Sequence, residues 1–248
     1  MFNEHLTKKQ QEPKITAFVS SDYKLISTFK EGKDIYATLS SVAFNRPYEE
    51  CLEFHPETHE LQPEGKKLRG QGKILVLGIN YGMSAHSIAD MLFGDRDDMT
   101  DDEKLAEGQQ IQDSLMKGFP DLQQAIARAQ SMAREKGYTE TITGRRRHHP
   151  DMQLPKFEFS PMKGYMNPDV DPLDPNTLKN QDKIPSRIVK ALEKEFNNYK
   201  YYGQIVKRTK ELADEKIKVT NNQRKIDAAS REVFNAIIQG EQGTALIY

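Results

Sequence analysis

The sequence predicts a mainly α-helical fold with minor β structure. Three observations carry that expectation. Apolar residues recur at three- and four-residue spacing through residues 65–92 and 111–134. Helix-capping and acidic residues stand where such stretches begin, as at Asp34 and Asp101–Glu103. Strand-forming residues between two glycines occur in one short run, Gly137–Gly144.

Taken in order, residues 15–29 read as a helix closing at Gly32, and Asp34 caps a second helix through Val42. Residues 46–66, with Pro47, Pro56 and Pro63, read as a short helix and a loop. The stretch from Gly65 to Leu92 is the most apolar of the chain. It is too long for a strand and fits helical spacing. Residues 95–107 read as a solvated loop leading into a helix with acids in its first turn. Phe119-Pro120 divides residues 111–134 into two helices, with Pro120 suited to a helix start. The run after Gly137 reads as a hairpin. Seven prolines between Pro150 and Pro185 predict an irregular, partly disordered loop, and residues 186–240 read as polar helices.

Composition bounds the function classes. The 248 residues suffice for one large domain or two small ones. Mean hydropathy is −0.77. That is polar enough to imply long solvated segments or a core completed by something larger. The net charge of −1 announces no nucleic-acid binder. Locally, however, residues from Lys183 to Arg231 hold 13 Lys/Arg against 6 Asp/Glu and include Tyr199, Tyr201 and Tyr202. Cys51 alone can form neither an internal disulfide nor a multi-cysteine zinc site. No apolar run approaches the ~18 residues of a membrane span. The first residues lack a signal-peptide core, so the expected location is the cytoplasm.

Arg69, Lys73, Leu77 and Tyr81 stand four apart and would rise along one helical face in the order cation, cation, apolar, aromatic. Such a row suits a nucleoside triphosphate, with cations for phosphate oxygens and the apolar end for sugar and base. An ordinary amphipathic helix with a basic end has the same spacing. A phosphate-cradling glycine loop is excluded. The first glycine of that pattern falls on Lys67, and Ile74 replaces the Ser or Thr after the lysine. The aspartates between Asp95 and Asp102 do not follow the calcium-loop pattern, and adjacent His148 and His149 make a poor metal pair.

Several stretches resemble family A DNA polymerases. Arg69-Gly-Gln-Gly-Lys73 through Leu77-Gly78 to Tyr81-Gly82 resembles motif B, the O helix of the fingers, with Leu77 where the family has an aromatic. Glu31-Gly-Lys-Asp34-Ile35 resembles the segment upstream, with Tyr36 in place of a histidine. Gly137-Tyr-Thr-Glu-Thr141 and Gly144-Arg145-Arg146 resemble a hairpin of the family. Arg231, Asn235 and Gln239-Gly240 resemble a palm helix. Gln10–Lys14 resembles the close of motif A.

The resemblance implies a polymerase fingers subdomain with incomplete palm elements. Residues 1–40 would be partial palm and the approach to the fingers, and 41–136 the fingers with an O-like helix over 69–92. Residues 137–149 would be the hairpin, 150–186 a Pro-rich insertion loop, and 187–248 basic helices and partial palm. It implies phosphate contacts for Arg69 and Lys73, with Lys73 also the proton donor to pyrophosphate. Leu77 and Tyr81 would meet sugar and base, and Glu12 would guard against a ribose 2′-OH. Tyr81, Gly82, Arg145, Arg146, Arg231, Asn235 and Gln239 would touch primer-template DNA. The partners implied are that DNA and a dNTP, and the cofactor of the intact enzyme is Mg²⁺.

The motif A metal-binding aspartate would fall on Thr7, which cannot replace a carboxylate. Glu241–Tyr248 does not lead into the His-Asp motif that bears the second ligand. The expectation is one coding segment of an interrupted or split polymerase gene, of phage type, inactive as an isolated chain. The alternatives are a non-catalytic DNA- or nucleotide-binding module, and a split-polymerase subunit active only with partner fragments that carry the rest of the palm.

Overall fold

A computed structural model of the protein describes residues 10–245. They fall into two compact units. One comprises the described residues up to Gln153 together with those from Ala228 on, and the other spans Leu154–Asp227.

The first unit is helical. Its helices are α1 (Gln11–Ser20), α2 (Tyr23–Lys30), α3 (Ile35–Phe44), α4 (Pro63–Asn80), α5 (Ala85–Phe93), α6 (Asp101–Gly118) and α7 (Pro120–Lys136). A hairpin of β1 (Tyr138–Glu140) and β2 (Arg146–His148) follows, with Thr139 opposite Arg147. Its core gathers Ile35 and Leu39 of α3, Leu75 and Ile79 of α4, and Leu115 of α6. Val233, Phe234 and Ile238, from the helix Gln223–Ala245, close that core.

Several helix ends lie where capping chemistry puts them. Asp34 accepts from Tyr36 N and Ala37 N and so starts α3. Thr100 and Glu103 form a capping box on α6, and Pro120 opens α7. Two expected long helices are each broken instead. The helix expected over 15–29 divides at Ser21, which is left-handed, and at Asp22. Asp22 is buried and accepts from Lys24 N, Leu25 N and Leu122 N, so one carboxylate caps α2 and anchors the first turn of α7.

The stretch 65–92 divides at Tyr81–Ser84. Gly82 sits at φ +60°, Met83 N reaches Gly78 O and Gly82 N reaches Ile79 O, which together close α4 in a glycine-terminated cap. Ser84 then caps α5. Apolar spacing continues through the break because both helices face the same core, so periodicity could not reveal it.

The second unit corrects the expectation for 150–186. That stretch contains the strand β3 (Phe157–Pro161), which pairs antiparallel with β4 (Ile217–Asn221), Phe157 opposite Asn221. Around this ribbon lie α8 (Pro175–Leu178), α9 (Ser186–Asn198), α10 (Tyr202–Asp214) and the first residues of α11 (Gln223–Ala245). Phe157, Phe159, Leu192, Phe196, Leu212 and Ile217 form its core. Pro155 precedes the strand and Pro161 is its last residue, opposite Ile217, so proline density did not preclude a strand.

Candidate nucleotide and nucleic-acid site

Helix α4 carries the cationic row, and small residues let it lie close to α3. A Cβ on Gly72 would stand 2.1 Å from Tyr36 O and 2.4 Å from Ser40 Oγ. Ser40 Oγ donates to Leu68 O across the same contact. The Gly-Gln-Gly sequence therefore serves helix packing at Gly72, while a Cβ at Gly70 would meet nothing within 4 Å.

The row does not present four equivalent groups. Arg69 is held by Asp34, whose Oδ2 accepts from Nε and Nη2 at 2.9 Å each. Its guanidinium also lies 5.3 Å from the Tyr36 ring centroid. Asp34 thus caps α3 with one oxygen and ties α4 to it with the other. Lys73 is exposed, with no carboxylate within salt-bridge distance among the described residues.

Lys73 and Leu77 line a cavity of about 220 Å³ with Glu12 of α1, Tyr36 of α3 and Gln242 of α11. Pro13 and Val76 complete its apolar wall. Thr16, one turn on from Glu12, donates its hydroxyl to Asn80 Oδ1 at 2.8 Å and so ties α1 to the end of α4. Burial pushes the Tyr36 hydroxyl pKa up, reinforced by the Asp34 charge. Tyr36 therefore stays a neutral donor.

Tyr81 lies at the C-cap of α4 rather than within it, and Gln239 Nε2 donates to its hydroxyl at 3.4 Å. Gly82 meets α11 backbone to backbone, since a Cβ there would stand 2.9 Å from Arg231 Cα. The end of the α4 row and the α11 row therefore meet. Gln239 also lines a second cavity of about 290 Å³ with Arg145, Arg146, Arg147, Thr139 and Thr141. Arg146 is exposed, bonds Glu140 at 2.7 Å and lies 4.6 Å from the Tyr138 ring centroid. Glu241 accepts from Ile142 N and anchors the hairpin turn to α11. Burial holds the pKa of His149 below its ordinary value, and its ring bonds Thr139 Oγ1 at 3.0 Å.

The structure thus brings Glu12, Lys73 and Leu77 together, and separately Arg145, Arg146 and Gln239. Arg231 is exposed, whereas Asn235 is buried, so the α11 row is not a uniform surface. Sequence reasoning did not assign Tyr36 or Gln242 to a site. Tyr36 carried a signal, because it stands where the resembled pattern has a histidine. Thr7 lies outside the described residues. Among those described, no three His, Cys, Asp or Glu side chains converge to hold a metal ion. No described helix is long and apolar enough to cross a membrane.

This architecture is that of a polymerase fingers and palm portion. It is similar to a polymerase domain from M. smegmatis in complex with DNA primer-template and dNTP, with a TM-score of 0.51 at 21% identity, over 94% of this chain and 25% of that one. The sequence profile of DNA polymerase family A matches residues 8–163, well over half of the chain, and the chain belongs to that family.

Among curated relatives, the thermostable DNA polymerase I of Thermus aquaticus is 30% identical over 148 residues, 60% of this chain and 15% of that protein. DNA polymerase I of Chloroflexus aurantiacus is 31% identical over 146 residues, 58% of this chain and 13% of that protein. The chain thus spans about 15% of the length of the Thermus relative.

Proposed function

We propose that the chain supplies the nucleotide grip and template-primer contacts of a DNA-directed DNA polymerase. The carrying observation is the cavity that unites Lys73 and Leu77 of α4 with Glu12 of α1. A triphosphate there would meet the exposed Lys73 ammonium with its phosphates and an apolar wall with its sugar. Glu12 would stand against a 2′-OH. Arg69 joins the phosphate contacts only by releasing Asp34, so Lys73 is the first cation a triphosphate meets. Arg145, Arg146, Gly82, Arg231, Asn235, Gln239 and Tyr81 would position the primer-template.

In the reaction the primer 3′-OH oxygen would bond the α-phosphorus of the dNTP and lose its proton to water, while the bond from that phosphorus to the oxygen bridging to the β-phosphate breaks. Lys73 Nζ would give a proton to the departing pyrophosphate. The family's Mg²⁺ chemistry needs carboxylates, and the described residues offer no such cluster. Extension by this chain would depend on polymerase segments that bring those ligands.

The test is dNTP binding by the full chain, followed by calorimetry, with primer extension in the presence and absence of fragments carrying the remaining palm. Lys73→Ala is expected to weaken dNTP binding by about tenfold, while Lys73→Arg retains most of it. Unchanged affinity in Lys73→Ala would sink the proposal. Primer-template binding without extension under any condition would instead favour the non-catalytic binding module.

A further inference from the structure

The family match ends at residue 163, so most of the second unit, Leu154–Asp227, lies beyond it. Its charge differs from that of the chain. Residues 154–227 hold 15 Lys/Arg against 11 Asp/Glu, net +4, although the whole chain is net −1.

Three acids of this helical region are drawn onto one arginine. Arg208 takes Glu195 at 3.1 Å, Glu211 at 3.3 Å and Glu215 at 3.0 Å, and Glu195 also accepts from the Tyr199 hydroxyl. Hydrogen bonding to that carboxylate and burial push the Tyr199 pKa up to about 12, with burial the larger cause. Lys200, Lys207 and Lys210 are exposed and have no carboxylate within 4 Å among the described residues.

Between these lysines, at the corner joining α9 to α10, stand Tyr201 and Tyr202, 71% and 74% exposed. No other large apolar side chain of these two helices is exposed. Adjacent rings without an aliphatic wedge suit stacking rather than insertion into a lipid layer. The unpaired lysines complement a phosphodiester chain.

We propose that the Tyr201–Tyr202 corner, with Lys200 and Lys207, is a binding site for single-stranded DNA. Its bases stack on the two rings and its phosphates meet the lysines. The site is separate from the nucleotide cavity of the first unit and does not depend on the chemistry proposed there.

The test is fluorescence anisotropy of a dye-labelled oligothymidylate with the full chain. Tyr201→Ala with Tyr202→Ala is expected to weaken binding by roughly 30-fold, and the two Tyr→Phe changes to preserve it. Lys200→Ala with Lys207→Ala should flatten the dependence of log affinity on log salt by about 1.4. Affinity unchanged by the double Tyr→Ala variant overturns the proposal. So does the absence of oligothymidylate binding by the wild type, or loss of binding to phosphatidylserine vesicles with no loss for the oligonucleotide. Measuring dNTP affinity on the same variants separates the two readings. The Tyr variants should leave it unchanged, and a failure of dNTP binding alone counts only against the nucleotide cavity.

Discussion

The two units reach their cores by different routes. In the first, aliphatic faces of seven sequential helices and part of α11 pack together, and the polar residues at helix ends set the geometry. Asp22 and Asp34 each cap one helix and hold a second with the same carboxylate. In the second, four aromatic rings carry much of the packing. Phe196 lies 5.1 Å from Phe157, 5.2 Å from Phe159 and 5.4 Å from Tyr199, centroid to centroid. A small unit with a two-stranded ribbon has little area to bury, so a few large rings must supply it. The difference teaches where each unit is vulnerable: at buried caps in one, at a single ring in the other.

The largest effect is expected from Phe196→Ala, about 4 kcal/mol on the second unit. Hydrogen exchange should show residues 154–227 opened while the first unit keeps its protection and dNTP affinity. Loss of protection in both would show that the units fold as one.

Next comes Asp22→Ala. It leaves three backbone N–H groups without their acceptor and is expected to cost about 3 kcal/mol in chemical denaturation, confined to the first unit. Asp22→Asn should recover part of this.

A smaller effect separates the two cations of α4. Arg69→Ala is expected to cost about 1 kcal/mol, because its pair with Asp34 is partly exposed. Asp34→Asn retains the cap and releases Arg69 from its nearer carboxylate, leaving Glu53 at 3.9 Å, so dNTP affinity should rise roughly threefold. A fall in affinity would show instead that Asp34 positions Arg69 for the nucleotide.

The smallest effect concerns His149. Its folded pKa lies below the ordinary 6.5, so the unfolded chain takes up a proton first as pH falls. Its contribution to stability is complete above 6.5 and declines below it, down to the folded pKa. Wild type should therefore lose slightly more stability than His149→Gln between pH 7 and pH 5 in denaturation curves, and parallel curves would contradict this.

Much of the first unit was legible in the sequence because its signals are local. Asp34, Thr100 and Pro120 mark helix starts through bonds to residues within the next turn, and Gly137 with Gly144 frames a hairpin. The breaks at Ser21 and Gly82 were hidden, since apolar spacing persists across them. The strand β4 was hidden for another reason. Its partner β3 lies some 60 residues earlier in a proline-rich stretch, and neither shows a pattern that demands the other.

The sequence by itself determined the ordered motifs, the row Arg69–Lys73–Leu77–Tyr81 and the family, because those depend on residue identity and spacing along one chain. Only the tertiary structure decided which members of the row share a cavity. Arg69 is occupied by Asp34, Lys73 has no carboxylate partner among the described residues and lies beside Glu12 and Tyr36, and Tyr81 ends the helix against α11. The physical reason is that a side chain's partner is set by how helices cross. At α3 and α4 that crossing rests on the missing side chain of Gly72, whose meaning appears only when Tyr36 and Ser40 are packed against it.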